Sequence, residues 1–328
     1  MSPITIYPGS DAYYYSYYLR GFCDALPQPA FAFSAQSFPR FRYPCLALIL
    51  GGRRIYISGE DAPRVREDGL SWCDVYAKVN LELGQSNQKL IAIGPSFGIR
   101  FLPLPRALWW AIGSYLRGAW AQVPTREHFA GYWRQWQYRL PLEAYRPGKV
   151  ETDYAFFISS LWKKEPETNL FRANFVRTCL CTPGLRFEGG LIRRADVDGF
   201  SDVVIPDRVT YEDYLAKTQA SLVAFNTPAV CGCHGWKLGE FLALGKAIVS
   251  TPLHRALPAP LEHGIHLHYV DGSVESIREA LDVLRSQPNY RMALERAARD
   301  YYDTYLAPAA VVKRILARAE ENRSRANA

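Results

Sequence analysis

Short apolar runs bounded by turn residues recur along the chain and alternate with longer stretches of helical spacing. In the first half Ile4–Tyr7, Ala30–Phe33, Cys45–Leu50, Arg54–Ser58, Asp74–Val79 and Leu90–Ile93 read as strands. Pro8-Gly9-Ser10, Gly51-Gly52 and Gly59-Glu60-Asp61 punctuate them as turns. Ser10 or Asp11 is placed to cap a helix through the tyrosine-rich run to about Leu26. Two further helices are predicted in Pro103–Gln122, where Leu108, Ala111, Ile112, Tyr115 and Ala119 keep helical spacing, and in Arg126–Tyr138. Leu140–Val150, with Pro141, Pro147 and Gly148, has the composition of a linker.

The second half repeats the alternation. Tyr154–Ser160 is a buried strand, followed by a helix from about Glu167 that carries Phe171, Phe175 and Val176, with Arg172 expected on its exposed side. Phe187–Gly190 is a strand end, Val209–Thr218 an amphipathic helix and Leu222–Phe225 a strand. A helix from Trp236 stops at Gly245, and the strand Lys246–Ser250 ends before Pro252. Ile265–Val270 is a last strand, with helices over Ser273–Ser286, Tyr290–Tyr305 and, after Pro308, Ala309–Glu321. The polar tail Asn322–Ala328 is expected to fray. Strands alternating with helices predict open α/β sheets, doubly wound and parallel in the second half. The expected division is 1–148, 149–308 and a C-terminal helix and tail over 309–328.

Composition narrows the class. The 328 residues are 48% hydrophobic and 22% charged, as in a soluble globular protein of roughly two domains. The net charge of +7 suits a partner that carries phosphates, although a modest excess of this size equally serves solubility. No nucleic-acid motif is present and the basic residues are scattered, so no nucleic-acid partner is expected. The seven cysteines form an odd set, and Cys179-x-Cys181 and Cys231-x-Cys233 lack zinc-site spacing, so no metal site is expected. Met1–Asp11 lacks the basic start and apolar run of a secretory signal, which points to reduced thiols and a cytoplasmic protein. No apolar segment is long enough to span a bilayer. The Trp- and Arg-rich stretch Pro103–Arg139 allows a peripheral contact with an inner membrane surface. Packing of two helices over a sheet is the simpler reading, because the adjacent Trp109 and Trp110 must diverge around a helix.

The chemistry concentrates in Tyr211–Pro252. A strand, a loop of small residues and a helix start form a ready anion site, because the first helical N–H groups lack partners. His234, Gly235, Trp236, Lys237 and Glu240 lie there, and Lys237 and Glu240 are three apart and share a face. Ser159, Lys163 and Lys164, delivered by the strand Tyr154–Ser160, suit a diphosphate equally as well as they suit a solvated basic turn. In the first half Glu60, Asp61 and Asp74 lie at strand ends, and one of them is expected to face a cleft as a general base; singly, each also reads as a water-facing turn residue.

The succession HGWKLGEFLALGKAIVSTPL, followed by HLHYVDGS and a helix, resembles the nucleotide-binding domain of GT-B glycosyltransferases, closest to group-1-like and exostosin- or fucosyltransferase-like members. The resemblance covers Asp153 to about Leu316 and is weaker over Met1–Gly148, where ISGED and DVYAKVNL look like cleft-lining strands. It implies two Rossmann-like doubly wound α/β domains facing across a cleft, with a C-terminal helix returning to the N-terminal domain. The first domain would bind the acceptor and the second the nucleotide-sugar. Glu240 would hold the ribose; His234, Gly235, Trp236 and Lys237 would surround phosphates or donor sugar. Lys163, Lys164 and Arg172 would meet the diphosphate. No metal would be required. The donor would be a UDP-, GDP- or ADP-sugar, the acceptor a carbohydrate or lipid-linked hydroxyl, and the activity a sugar transfer in glycan or polysaccharide synthesis. Retaining members often carry a second glutamate at the position of Gly232, so retention against inversion stays open. A noncatalytic nucleotide- or glycan-binding protein of the same fold is the alternative. A Glu240 turned into the protein interior would contradict the ribose contact.

Overall fold

The computed structural model describes residues 3–194, 196–205 and 209–326. The chain forms two compact units: Met1–Ala144 with Ala256–Pro258 and Tyr305–Ala328, and Tyr145–Arg255 with Ala259–Thr304.

In the first unit β1 (Ile4–Ile6) leads to α1 (Ala12–Ala25) and β2 (Phe31–Phe33). β3 (Leu46–Leu50) and β4 (Arg53–Ser58) form a hairpin, and α2 (Glu67–Trp72), β5 (Val75–Lys78) and β6 (Leu90–Ala92) follow. The sheet order is β2-β1-β3-β4-β5-β6, and every strand is parallel to its fellows except β3. Gly51 and Gly52 cause that reversal. Their φ values of 56° and 80° are the left-handed pair that a two-residue hairpin turn needs. Because β3 alone is reversed, the carboxyl ends of β1, β2, β4, β5 and β6 share one edge.

α1 carries the tyrosines of the sequence into the core, where Tyr17, Tyr18 and Phe22 are fully buried. Burial of the tyrosine rings is tolerated because their hydroxyls are paired, Tyr17 donating to Leu306 O at 2.7 Å. Tyr18 meets Ser96 Oγ at 2.9 Å, and Tyr15 donates to Pro44 O at 3.0 Å while accepting from Gly59 N. α3 (Leu104–Leu116) and α4 (Thr125–Gln137) pack on one another. Trp110 turns inward against Phe31, Phe33 and Phe101, whereas Trp109 turns to solvent.

The second unit runs β7 (Tyr154–Ser160), α5 (Pro166–Cys181), β8 (Arg186–Ile192), β9 (Val204–Ile205), α6 (Tyr211–Ala220), β10 (Ala224–Asn226), α7 (Trp236–Ala243), β11 (Ile248–Ser250), β12 (His268–Tyr269), α8 (Val274–Ser286) and α9 (Pro288–Tyr301). β7-β8-β9 and β10-β11-β12 are both parallel. Leu222 N donates to Tyr154 O at 2.7 Å, and Phe156 N to Ser221 Oγ at 2.9 Å, which sets the segment entering β10 against β7. The spatial order is therefore β9-β8-β7-β10-β11-β12, the doubly wound arrangement of a mononucleotide-binding pair. Phe175 stacks on Phe225 at 4.4 Å between ring centres in its core. Gly189 is required in β8: a Cβ there would lie 1.8 Å from Phe157 O.

A π-helical turn, Tyr302–Leu306, leads from α9 into α10 (Pro308–Ala326), which Pro308 opens because it needs no amide partner at a helix start. α10 belongs to the first unit and packs along α1, as the fold class implies. It docks on the sheet through Arg314 to Ala92 O (3.1 Å), Arg318 to Leu90 O (3.1 Å) and Asn322 to Asp74 O (2.9 Å). The tail expected to fray from Asn322 is thus helical through Ala326, because its polar side chains find backbone acceptors; 327–328 lie outside the described residues.

Close approach of α10 to α1 depends on Gly21, where a Cβ would meet Pro308 O at 2.3 Å. Ordinary helix propensity favours replacing this glycine by about 1 kcal/mol, but overpacking against backbone costs about 1–3 kcal/mol or more. Gly21→Val should therefore lower the denaturation midpoint, and an unchanged or raised midpoint in urea would refute the contact.

Candidate functional site

In an open parallel sheet, ligands bind beyond the carboxyl ends of the strands where the winding reverses. In the second unit that point lies between β7 and β10. β7 ends at Ser159-Ser160, and β10 at Asn226 before Thr227-Pro228. Two cations converge on the end of β7. Arg172, on the first turns of α5, donates through Nη1 to Ser160 O at 2.8 Å and through Nε to Thr227 Oγ1 at 2.9 Å. Lys237, in the first turn of α7, donates through Nζ to Ile158 O. Carbonyls 158 and 160 are two residues apart and project from the same side of the strand.

Neither cation forms an ion pair with a carboxylate among the described residues. Both feel the resulting lack of compensation. Desolvation, then the charge of Arg172, pushes the Lys237 ammonium down to about 7; desolvation lowers Arg172 to about 10. A buried cation with no carboxylate at ion-pair distance is costly to hold charged. The Arg172 fork holds five N–H donors, of which two are engaged in these bonds.

The loop after β7 is fixed by Asn169, whose amide accepts from Trp162 N at 2.9 Å and donates to Trp162 O at 2.7 Å. Thr168 Oγ1 reaches Pro228 O at 3.3 Å and ties the loop after β10 to the start of α5. Gly235 is the N-cap of α7 and offers no side-chain acceptor to the first helical amides.

The expected site residues separate into three groups. Ser159, His234, Gly235, Trp236 and Lys237 do gather at the strand ends or the start of α7, with Ser159 and His234 buried. Lys163 and Lys164 are exposed on the loop after β7, and Lys163 lies 3.9 Å from Asp196. Arg172 differs from the exposed position expected: it is 6% exposed, because its face of α5 packs toward Thr227. Glu240 differs most. It is 3% exposed and turned into the second unit, where Tyr214 donates to Oε2 at 2.7 Å and Tyr211 donates to Oε1. α6 sets these two phenols opposite the buried face of α7, and Tyr145 extends the chain to Tyr211 at 2.9 Å. Both carboxylate oxygens thus serve the interior, and the ribose contact expected of Glu240 is not made available by this geometry.

The three carboxylates of the first unit do not act together. Glu60 follows β4 at the shared strand edge, but Arg66 holds it bidentately at 2.5 and 2.9 Å, and Asn80 binds its carbonyl. Asp61 is exposed beside it. Asp74 lies at the opposite end, before β5, where it accepts from Arg54 N at 2.8 Å and Arg54 Nη2 at 3.0 Å. Parallel pairing of β4 with β5 puts the start of one beside the start of the other, so Asp74 is excluded from the Glu60 edge.

One residue near the two cations escaped the sequence reading. Thr227 is the hydroxyl that orients Arg172, although its Asn-Thr-Pro context signalled only a turn. Asp11 was legible only as a helix cap, and it does cap α1, accepting from Tyr13 N at 2.8 Å. It also lies at the shared strand edge, in a small cavity with Ile6, Tyr15, Leu46 and Trp110, and desolvation raises its carboxyl above the usual range.

The buried Glu240 gives a direct expectation. Glu240→Ala leaves two buried phenols without an acceptor, which costs about 1–3 kcal/mol each. Chemical denaturation should show a large loss of stability; a variant as stable as the parent, defective only toward ligand, would restore the ribose role.

No protein-family profile matches the chain, and no curated protein matches it. Solved structures similar to it include the C-terminal domain of a glycosyl transferase group 1 family protein (LpcC) from Francisella tularensis, at 16% identity over 50% of this chain and 96% of that one, with a TM-score of 0.37. A glycosyltransferase from Rickettsia africae is similar at 9% identity over 76% of this chain and 63% of that one, TM-score 0.42. Anabaena HepE, in complex with UDP, is similar at 10% identity over 76% and 79%, TM-score 0.42.

Proposed function

We propose that the chain is a glycosyltransferase that takes a sugar from a nucleotide-diphosphate-sugar and delivers it to a hydroxyl acceptor, a carbohydrate or a lipid-linked alcohol, in glycan or polysaccharide synthesis. The observation that carries the reading is the pair Arg172 and Lys237, desolvated and without a carboxylate at the switch point between β7 and β10. A diphosphate is the anion that fits. Its two charged groups match two cations, and the leaving nucleoside diphosphate needs the same charges neutralised as the glycosidic bond breaks. Ser159, Lys163, Lys164 and the amides at the start of α7 would complete the contact, with no metal required.

A noncatalytic nucleotide-binding protein is the second reading, favoured by the engagement of both Glu60 and Glu240 in internal contacts. The two diverge in one experiment. Thermal shifts are measured with UDP, GDP, ADP and their sugars, and nucleoside diphosphate release is followed from whichever sugar binds. Saturating ligand at about 100 times Kd should stabilise the fold by about 2.7 kcal/mol. Lys237→Met should weaken binding by about 10- to 100-fold. Binding with no release by the parent protein supports the noncatalytic reading; no shift with any nucleotide ends both.

A further inference from the structure

The outer face of α3 is apolar where solvent should favour polar residues. Trp109 is 74% exposed and Leu116 71%; Leu108 and Ile112 are exposed as well. At 100° per residue these four fall within an arc of about 100°. Ala107, Ala111 and Ser114, on the opposite arc, are buried against the first unit. Adjacent tryptophans do diverge, but Trp109 thereby joins a stripe of its own. Beyond the helix a further apolar ring, Trp120, is 65% exposed in a short 3-10 turn, Ala119–Ala121.

The charged residues of α3 and of the turn after it are all arginines. Between Leu90 and Arg126 the sequence holds Arg100, Arg106, Arg117 and Arg126 and no aspartate or glutamate. Arg106, Arg117 and Arg126 are exposed. On the helical wheel Arg106 and Arg117 border the apolar arc at roughly 160–180° from Leu108. Arg117 is braced by donating to Gly113 O at 3.1 Å. No helix of the described residues is long and apolar enough to cross a bilayer. Apolar anchors of Trp and Leu, bordered by arginines and lying along one short helix, match the boundary of an anionic bilayer, where rings enter the headgroup layer and guanidinium groups meet lipid phosphates.

We propose that α3 and the following turn dock the protein on an anionic lipid surface, through Leu108, Trp109, Ile112, Leu116 and Trp120, with Arg106 and Arg117 on the headgroups. This inference is independent of the anion site in the second unit and needs no sugar transfer.

The test is co-sedimentation of the full chain with vesicles of phosphatidylcholine alone and with roughly one-third phosphatidylglycerol. The protein should bind the anionic vesicles at least about tenfold better, and 1-M-range salt should abolish most of the difference. Trp109→Ser with Leu116→Ser should reduce binding about tenfold without moving the melting temperature, since both side chains are exposed. Arg106→Glu with Arg117→Glu should erase the preference for anionic lipid. Quenching of tryptophan emission by brominated lipid in the unaltered protein checks insertion without a variant. Absence of sedimentation with either vesicle overturns the proposal, as does equal binding to both. A dimer that the serine variant dissociates, in a protein that ignores vesicles, assigns the face to a second copy instead.

Discussion

A pair of desolvated cations with no carboxylate at ion-pair distance among the described residues is the constraint around which the second unit is arranged. Arg172 and Lys237 are drawn to the end of β7 by backbone carbonyls, which can accept hydrogen bonds but cannot neutralise charge. Their lowered pKa values record the cost. The strand order produces the convergence. Winding outward in both directions from the β7–β10 pair brings the starts of α5 and α7 to one edge, each contributing one cation. The same winding leaves helical amides pointing there, so the field at this edge is positive from both side chains and backbone.

Glu240 is the negative charge that keeps this arrangement in register. It lies one helical turn from Lys237, and its charge opposes the loss of the lysine proton, but its oxygens belong to Tyr211 and Tyr214. The phenols respond with acidities pushed far weaker than usual, chiefly by burial and next by the carboxylate. A glutamate so held fixes α6 against α7 and thereby the position of the lysine. Its bearing on any ligand runs through that geometry and not through direct contact.

Much of the fold was legible because strand and helix periods differ and because glycine and proline punctuate them. Tyr154–Ser160 and Trp236–Gly245 read clearly for that reason. The Gly51-Gly52 hairpin was readable as a turn, but the antiparallel β3 it creates was not, since direction is set by pairing across the sheet. Side-chain direction was the least legible property. Arg172 looked like a solvent-facing residue because charge is usually exposed, and its partners Ser160 and Thr227, distant in sequence, draw it inward. Glu240 looked like a ligand residue because it follows a helix start; its tyrosine partners come from α6, at a spacing that local pattern does not encode. Asp74 was a candidate base alongside Glu60 and Asp61, and parallel pairing places it at the other end of the sheet from Glu60.

The central claim, that an anionic diphosphate settles on Arg172 and Lys237, is tested most directly by counting protons. Desolvation, then the charge of Arg172, holds the Lys237 titration down at about 7 against the opposing charge of Glu240. At pH 8 the lysine is mostly neutral; a bound diphosphate favours the ammonium and moves its titration back toward about 10. Binding at pH 8, followed by calorimetry in buffers of different ionisation enthalpy, should therefore take up nearly one proton per site, and Lys237→Met should take up almost none. Nucleotide binding with no proton uptake in the parent protein, and unchanged in that variant, would contradict the account.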